Sequence, residues 1–222
     1  MSSDKAIIFD FDGVILNSLE VKSNAFYDLY LKYGKSIANK VRNHHNNNTG
    51  INRFEKFKFY ARNYLGKKIT TKESADLSNK LRDLILKKIL KCDYIYGVRN
   101  FIKLNRNNYI FFISSATPEN ELKIITNKLN ISKFFEKIYG SPISKKDHIK
   151  KIIKLYNLNK KNVLFLGDAL ADYKAASWNN INFILIENEY NKKILMDNKI
   201  LRINSFYNFN NTLKKKLIFN VY

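Results

Sequence analysis

Short apolar runs, each closing on a polar group, constrain this chain more than any other feature. They are "AIIFD" (6–10), "YIFFIS" (109–114), "NVLFLGD" (162–168) and "NFILIE" (182–187), with "KIYGS" (137–141) as a shorter member of the set. A run that is apolar at successive positions reads as a strand covered on both faces, the form strands take in a parallel sheet. Helical patterns lie between them: "ENELKIITNKL" (119–129), "KDHIKKIIKLY" (146–156) and "ALADYKAASWN" (169–179). Strand and helix in alternation imply right-handed crossovers and a doubly wound α/β fold. Such sheets bind ligands beyond the carboxyl ends of their strands, where the strand order reverses. Asp10, Ser114 with Ser115, and Asp168 all fall at such ends.

The stretch 19–92 breaks the alternation. "VKSNAFYDLYLKYG", "RFEKFKFYARNYLG" and "TKESADLSNKLRDLILKKILK" have helical spacing and no strand pattern between them. A helical cap over 19–92 is expected, inserted into an α/β core formed by 1–18 and 93–222. The chain is strongly basic, with a net charge of +21 from 40 Lys and Arg against 19 Asp and Glu. Such a charge attracts polyanions. The accompanying excess of Lys, Asn, Ile, Tyr and Phe marks a compositional bias that spreads lysine over neutral surface. No motif for base or backbone recognition is present, so nucleic acid is not the expected partner.

Cys92 is the only cysteine, which excludes an intrachain disulfide. No apolar stretch approaches the roughly 18 residues needed to span a membrane, and the start of the chain does not resemble a signal peptide. A cytoplasmic protein, monomer or homodimer, with no membrane partner, is the expectation. "NHHNNNTG" (43–50) reads as an Asn-rich loop, since adjacent histidines without a nearby carboxylate or cysteine make a poor metal site. "LKKKLIFNVY" (213–222) reads as a last helix and tail with solvated lysines.

The strand-end residues supply each part that phosphoryl transfer requires: a nucleophile, a proton donor for the leaving alkoxide, and positive charge on the phosphoryl oxygens. Asp10 and Asp12 stand two apart and so project to one side of an extended backbone. Asp10 suits a nucleophile and metal ligand; Asp12 suits a general acid, then a base that activates water. Mg²⁺ would relieve their repulsion, with Asp168 as a further ligand. Gly13 allows a sharp turn that brings backbone amides toward an anion. Ser115 and the Ala116 amide stand before a helix with Pro118 at its start, a natural phosphate site. Lys145 offers fixed charge near the nucleophile.

These residues, in this order, resemble the haloacid dehalogenase-like hydrolase superfamily. "DFDGVILNS" is similar to its first motif, D-x-D-G-[VT]; "FFISSATP" to the second; "YGSPISKKD" to the third; "GDALAD" to the fourth, G-D-x₃-D. The resemblance covers residues 6 to 187 and implies a Rossmannoid parallel sheet with an inserted helical C1 cap. It points to the phosphoglycolate phosphatase-like and β-phosphoglucomutase-like branch. It implies a Mg²⁺-dependent phosphatase of a small anionic phosphorylated metabolite, acting through an aspartyl-phosphate on Asp10; a sugar phosphomutase is the neighbouring reading. Asp12 two places after Asp10 favours phosphate esters, because the dehalogenase and phosphonatase members lack it. The resemblance gives the ion to Asp10, the Asp12 carbonyl and Asp168, and sets Asp172 behind them or against Lys145. It prefers Ser115 over Ser114 and Lys145 over Lys146. "TGINRFEKFKFYARNYLG" (49–66) resembles a cap stretch of some members, which places Arg53 and Lys56 toward the active site. Asn17 stands where many members have aspartate.

Overall fold

The computed structural model describes residues 4–191, 200–207 and 209–215. The tail beyond 215 lies outside the described residues. A parallel sheet runs in the order β3-β2-β1-β4-β5-β6, with β1 at Ala6–Phe9, β2 at Ile110–Pro118, β3 at Lys137–Ser141, β4 at Val163–Gly167, β5 at Asn182–Ile186 and β6 at Arg202–Ile203. Strand β1 is central: Ile8 pairs with Phe112 of β2 on one side and with Phe165 of β4 on the other. The chain leaves β1 toward β2 and β3, then crosses back to β4. The order therefore reverses between β1 and β4, where a ligand crevice is expected.

The two faces of β1 feed two cores, as the period of two requires. Ile7 and Phe9 join a large cluster with Phe101, Phe111, Leu122, Leu166 and Phe209. Ala6 and Ile8 join a second with Phe112, Phe165, Ile149, Ile152 and Ala176. Helices α5 (Val98–Asn105), α6 (Glu119–Lys128) and α9 (Phe209–Lys215) cover the first face, and α7 (Lys145–Leu155) and α8 (Leu170–Asn179) the second. Phe9 meets Phe111 and Phe135 edge-on, with ring centroids 5.5 and 5.9 Å away. Burying one such ring contributes about 1.5–3 kcal/mol.

Between β1 and α5 the chain forms α1 (Leu19–Tyr30), α2 (Lys35–Asn47), α3 (Arg53–Tyr64) and α4 (Thr71–Ile89). Asn52 caps α3 by accepting from the Phe54 and Glu55 amides, and Thr70 with Glu73 forms a capping box on α4. The Asn-rich loop expected at 43–50 is a correction. Helix α2 runs through His44 and His45 to Asn47. Ala38, Val41 and His45 share its buried face, and His45 stacks on Phe26 at 4.3 Å. Tertiary packing here overrides the weak helix propensity of asparagine.

Besides α2, the helix α5 and the strand β6 had no counterpart in the sequence reading. The latter spans two residues, too short to leave a periodic signal. Strand β2 also runs past Ser114 to Pro118, with a register shift against β3 in that interval. Among the described residues, no helix is long and apolar enough to cross a membrane.

His148 on α7 is fully buried. Its Nδ1 lies 2.9 Å from Ser114 Oγ, and its ring stacks on Tyr139. Burial, with the nearby Lys145 charge, pulls its pKa down to about 4. The unfolded chain takes up a proton at this site below about pH 6.5, while the folded chain resists it until about pH 4. The corresponding stability is present above pH 6.5 and lost as pH falls, up to about 3 kcal/mol. Denaturant unfolding between pH 7 and pH 4 should therefore show a shallower loss of stability for His148→Asn than for the unaltered protein.

Candidate active site

The site begins where β1 ends. The Asp10 amide donates to the Leu166 carbonyl at 2.8 Å, which sets the ends of β1 and β4 side by side. Asp10 Oδ1 accepts from the Phe11 amide at 2.7 Å, and Oδ2 lies 2.8 Å from Lys145 Nζ. Lys145 is the first residue of α7, whose cap Ser144 accepts from the Asp147 amide. Its Nζ also lies 2.5 Å from Asp172 Oδ1. Asp172, in the first turn of α8, accepts through Oδ2 from the Asp168 and Ala169 amides at 3.2 and 3.0 Å. It thus caps α8 and turns the end of β4 while holding Lys145.

Two glycines make this closeness possible. A Cβ on Gly167 would sit 2.3 Å from Asp172 Cβ. Gly13 has φ +76°, and a Cβ there would lie 2.6 Å from Asp168 Oδ2. Gly13 was expected to permit a sharp turn that brings backbone amides toward an anion. Its own amide donates to the Leu16 carbonyl at 2.8 Å and closes the turn after Asp12.

Oxygen atoms of Asp10, Asp168 and Asp172 lie within 4.8 Å of one another, all three residues buried. Burial, tempered by Lys145 and reinforced by Asp172 and Asp12, pushes the Asp10 pKa up to about 7. Burial, Asp10 and Asp172 raise Asp168 well above the ordinary carboxylate range. Burial pulls Lys145 down, but Asp10 and Asp172 outweigh it and hold the ammonium above its usual value. Carboxylates crowded to this degree fit a hard divalent cation. Both oxygens of Asp172 are engaged by Lys145 and the backbone, whereas Asp168 offers an oxygen beyond the one bonded to Asn188.

Asp12 is held differently. Lys22 forms an ion pair with its Oδ2, Ser18 donates to its Oδ1 at 2.6 Å, and Thr117 donates to Oδ2 at 3.2 Å. Burial raises its pKa, but Lys22 and these hydrogen bonds prevail and lower it. Asp10, Asp12, Asp168, Ser115, Ala116, Arg53 and Lys56 line one small cavity of about 40 Å³. Lys145 reaches Asp10 from the side of an adjoining groove of about 340 Å³, which Ser115 and Ala116 also border. Ser114, by contrast, is turned into the sheet face against His148, and Lys146 stacks on Trp178.

Arg53 lines the cavity, but its guanidinium is bound bidentately to Glu121 of α6, at 2.8 and 3.0 Å, and Nη1 also approaches the Ser78 carbonyl at 3.3 Å. Lys56 Nζ lies 3.0 Å from His45 Nδ1. Burial, with Lys22 and Arg53 nearby, lowers the Lys56 pKa well below its usual value.

Sequence reasoning missed Lys22, Ser18, Thr117, His45, Glu121, Asn188 and Asn191. Asn188 Nδ2 donates to Asp168 Oδ2 at 3.0 Å, and Asn191 Nδ2 to the Asp168 carbonyl at 2.7 Å. The only signal available for these two was an Asn-x-x-Asn turn just after a strand end. Lys22 carried one too, a basic residue one helical turn past Ser18 on the helix leaving the first motif.

Residues 7–186 match the family described as haloacid dehalogenase-like hydrolase, and the chain belongs to that family. No curated protein matches the sequence. Solved structures resemble it over nearly their whole lengths. A β-phosphoglucomutase from Clostridium difficile has a TM-score of 0.76 at 23% identity, covering 96% of this chain and 98% of that one. A predicted phosphoglycolate phosphatase from Haemophilus somnus has a TM-score of 0.70 at 18% identity, covering 94% and 97%. CbbY from Rhodobacter sphaeroides, solved in complex with phosphate, has a TM-score of 0.72 at 14% identity, covering 91% and 94%. At these identities the likeness is one of fold.

Removing Lys145 would leave Asp10 and Asp172 facing each other buried and uncompensated. Lys145→Met should lose about 3–5 kcal/mol of unfolding free energy at pH 7. The loss should shrink as pH falls toward about 7, the Asp10 pKa beside Lys145, because without the ammonium Asp10 takes up its proton at higher pH and protonation relieves the repulsion. Guanidinium unfolding at pH 8 and pH 5.5 reads both effects.

Proposed function

We propose that this chain is a Mg²⁺-dependent phosphatase that hydrolyses a small phosphorylated metabolite, a sugar phosphate or phosphoglycolate-like compound, through an aspartyl-phosphate. The observation that carries this reading is Asp10 at a strand end, contacted by Lys145 and crowded by Asp168, on a cavity shared with Ser115 and Ala116. A carboxylate oxygen of Asp10 attacks phosphorus, and the bond from phosphorus to the ester oxygen breaks. Asp12, in its protonated form, gives its proton to the departing alkoxide. Water then attacks the phosphorus of the aspartyl-phosphate, Asp12 takes a proton from it, and inorganic phosphate leaves as the Asp10 carboxylate is restored.

The Ser115 hydroxyl and the Ala116 amide, in the last part of β2 ahead of α6, bind phosphoryl oxygens. Lys145 keeps a positive charge beside Asp10, and Asp172 orients Lys145. Asp10, the Asp12 main-chain carbonyl and Asp168 would hold Mg²⁺, which when bound neutralises charge on the phosphoryl oxygens. In this reading 19–92 is a cap on the core of 1–18 and 93–222, with Arg53 and Lys56 on its inner wall. Exclusion of water by that cap suits the neighbouring reading, a sugar phosphomutase, in which the phosphoryl group returns to sugar. The small volume left beneath the helices is the feature that favours it.

Asp10→Asn should abolish turnover of every phosphomonoester, and Asp12→Asn should lower it by at least a hundredfold. EDTA should silence the enzyme, and added Mg²⁺ should restore it. A screen of phosphorylated metabolites, read for inorganic phosphate and for isomerised sugar phosphate, separates phosphatase from mutase. Full activity of Asp10→Asn would sink both.

A further inference from the structure

The cations around the cavity differ in what they have left to offer. Lys22 is paired with Asp12, and Lys145 with Asp10 and Asp172. Arg53 is spent on Glu121: both partners are buried, each terminal nitrogen of the guanidinium meets its own carboxylate oxygen, and Ser78 takes a further contact. Lys56 is the lining amine without a carboxylate partner among the described residues; burial, with Lys22 and Arg53 nearby, disfavours its charged form, and its Nζ lies 3.0 Å from His45 Nδ1. The remainder of the cap-side wall is apolar, formed by Leu19, Phe26, Ile51 and Ile85, with Thr49 as a neutral polar group.

We infer that Glu121 determines specificity: by neutralising Arg53 it closes the cap-side wall to a second anionic group and selects phosphate esters with an uncharged, hydroxyl-bearing leaving group. This rests on the phosphatase reading and narrows it, favouring sugar-like over carboxylate-bearing substrates. The physical reason is charge balance. A carboxylate or second phosphate placed beside Arg53 meets a pair whose net charge is zero, and it must shed its water without gaining a counter-ion. A hydroxyl group needs only a hydrogen bond, which Thr49, His45 and Lys56 can supply. Glu121 is well placed to persist in this role, since it lies in the first turn of α6, where the helix dipole favours a negative charge.

The test is calorimetric titration, in excess Mg²⁺, of two phosphonates of similar length: 2-hydroxyethylphosphonate, with a neutral end, and phosphonoacetate, with a carboxylate. The unaltered protein should bind the hydroxyethyl compound at least as tightly. In Glu121→Gln, freeing Arg53 should raise the ratio of phosphonoacetate to hydroxyethylphosphonate affinity at least tenfold. Adding Arg53→Leu to Glu121→Gln should return the ratio to its starting value, and Glu121→Asp, which keeps the charge, should leave it there. A merely structural role for Glu121 would weaken both ligands together without moving the ratio.

A tenfold preference of the unaltered protein for phosphonoacetate would overturn the inference, and this comparison needs no variant to fold. An unchanged ratio in a folded Glu121→Gln protein would overturn it equally. Binding of neither phosphonate to any of the proteins would instead remove the phosphatase reading, and this inference with it.

Discussion

The contact of Lys145 with Asp10 and Asp172 is what allows the strand ends to carry this site. Three carboxylates with oxygens within 4.8 Å of one another, all buried, would repel strongly in a medium that screens poorly. Lys145 touches two of them from the first turn of α7. The sheet makes the meeting possible: β1 and β4 are neighbours, so residues 10 and 168 end side by side although 158 positions separate them in the sequence. Glycine does the rest, because side chains at positions 13 and 167 would occupy the space of Asp168 and Asp172. Charge compensation and close backbone approach are therefore one design: neither Lys145 nor the glycines would serve without the other.

The helices of 19–89 meet the sheet through ion pairs of the same kind. Lys22 of α1 pairs with Asp12 and donates to Thr117 of β2, while Arg53 of α3 pairs with Glu121 of α6. Of the chain's net charge of +21, Lys22 and Arg53 at this seam are each balanced by a carboxylate. Exposed pairs such as Lys67 with Glu73 and Arg82 with Asp83 are in contact with water, where an ion pair contributes little. The seam pairs are desolvated, so they set geometry more than bulk stability.

Much of the fold was legible because its central strands carry apolar runs, such as AIIF in β1 and VLFLG in β4, and its helices repeat at 3.6 residues. The runs at 6–10 and 182–187 exceed the observed strands by one residue at the carboxyl end, and 162–168 by one at each end. Asp10, Ser115, Lys145 and Asp168 were findable because strand ends and helix starts mark where a parallel sheet binds ligands. What escaped depends on packing between distant segments. The Asn-rich stretch at 43–47 has poor local helix propensity and is helical because His45 packs on Phe26. Lys22 is one of 40 basic residues, and its place one helical turn past Ser18 is too common a pattern to mark it by itself as the partner of Asp12. Glu121 looks like an ordinary first-turn carboxylate until Arg53, 68 positions away, is seen against it.

Asp10 and Asp12 show why spacing alone could not assign their surroundings. The two stand on one short turn, yet their pKa values move in opposite directions: Asp10 up, from burial among carboxylates, and Asp12 down, under Lys22 and its hydroxyl donors. The groups responsible belong to different parts of the molecule. Asp10 depends on Lys145 and Asp172, which sit on helices packed against the sheet itself. Asp12 depends on Lys22 of α1, so its environment is shared between the sheet and the helices inserted after β1. A displacement of α1 from the sheet would strip Asp12 of its cation and leave Asp10 with Lys145. The same physical rule that separates the two carboxylates also couples one of them, and not the other, to the position of the inserted helices.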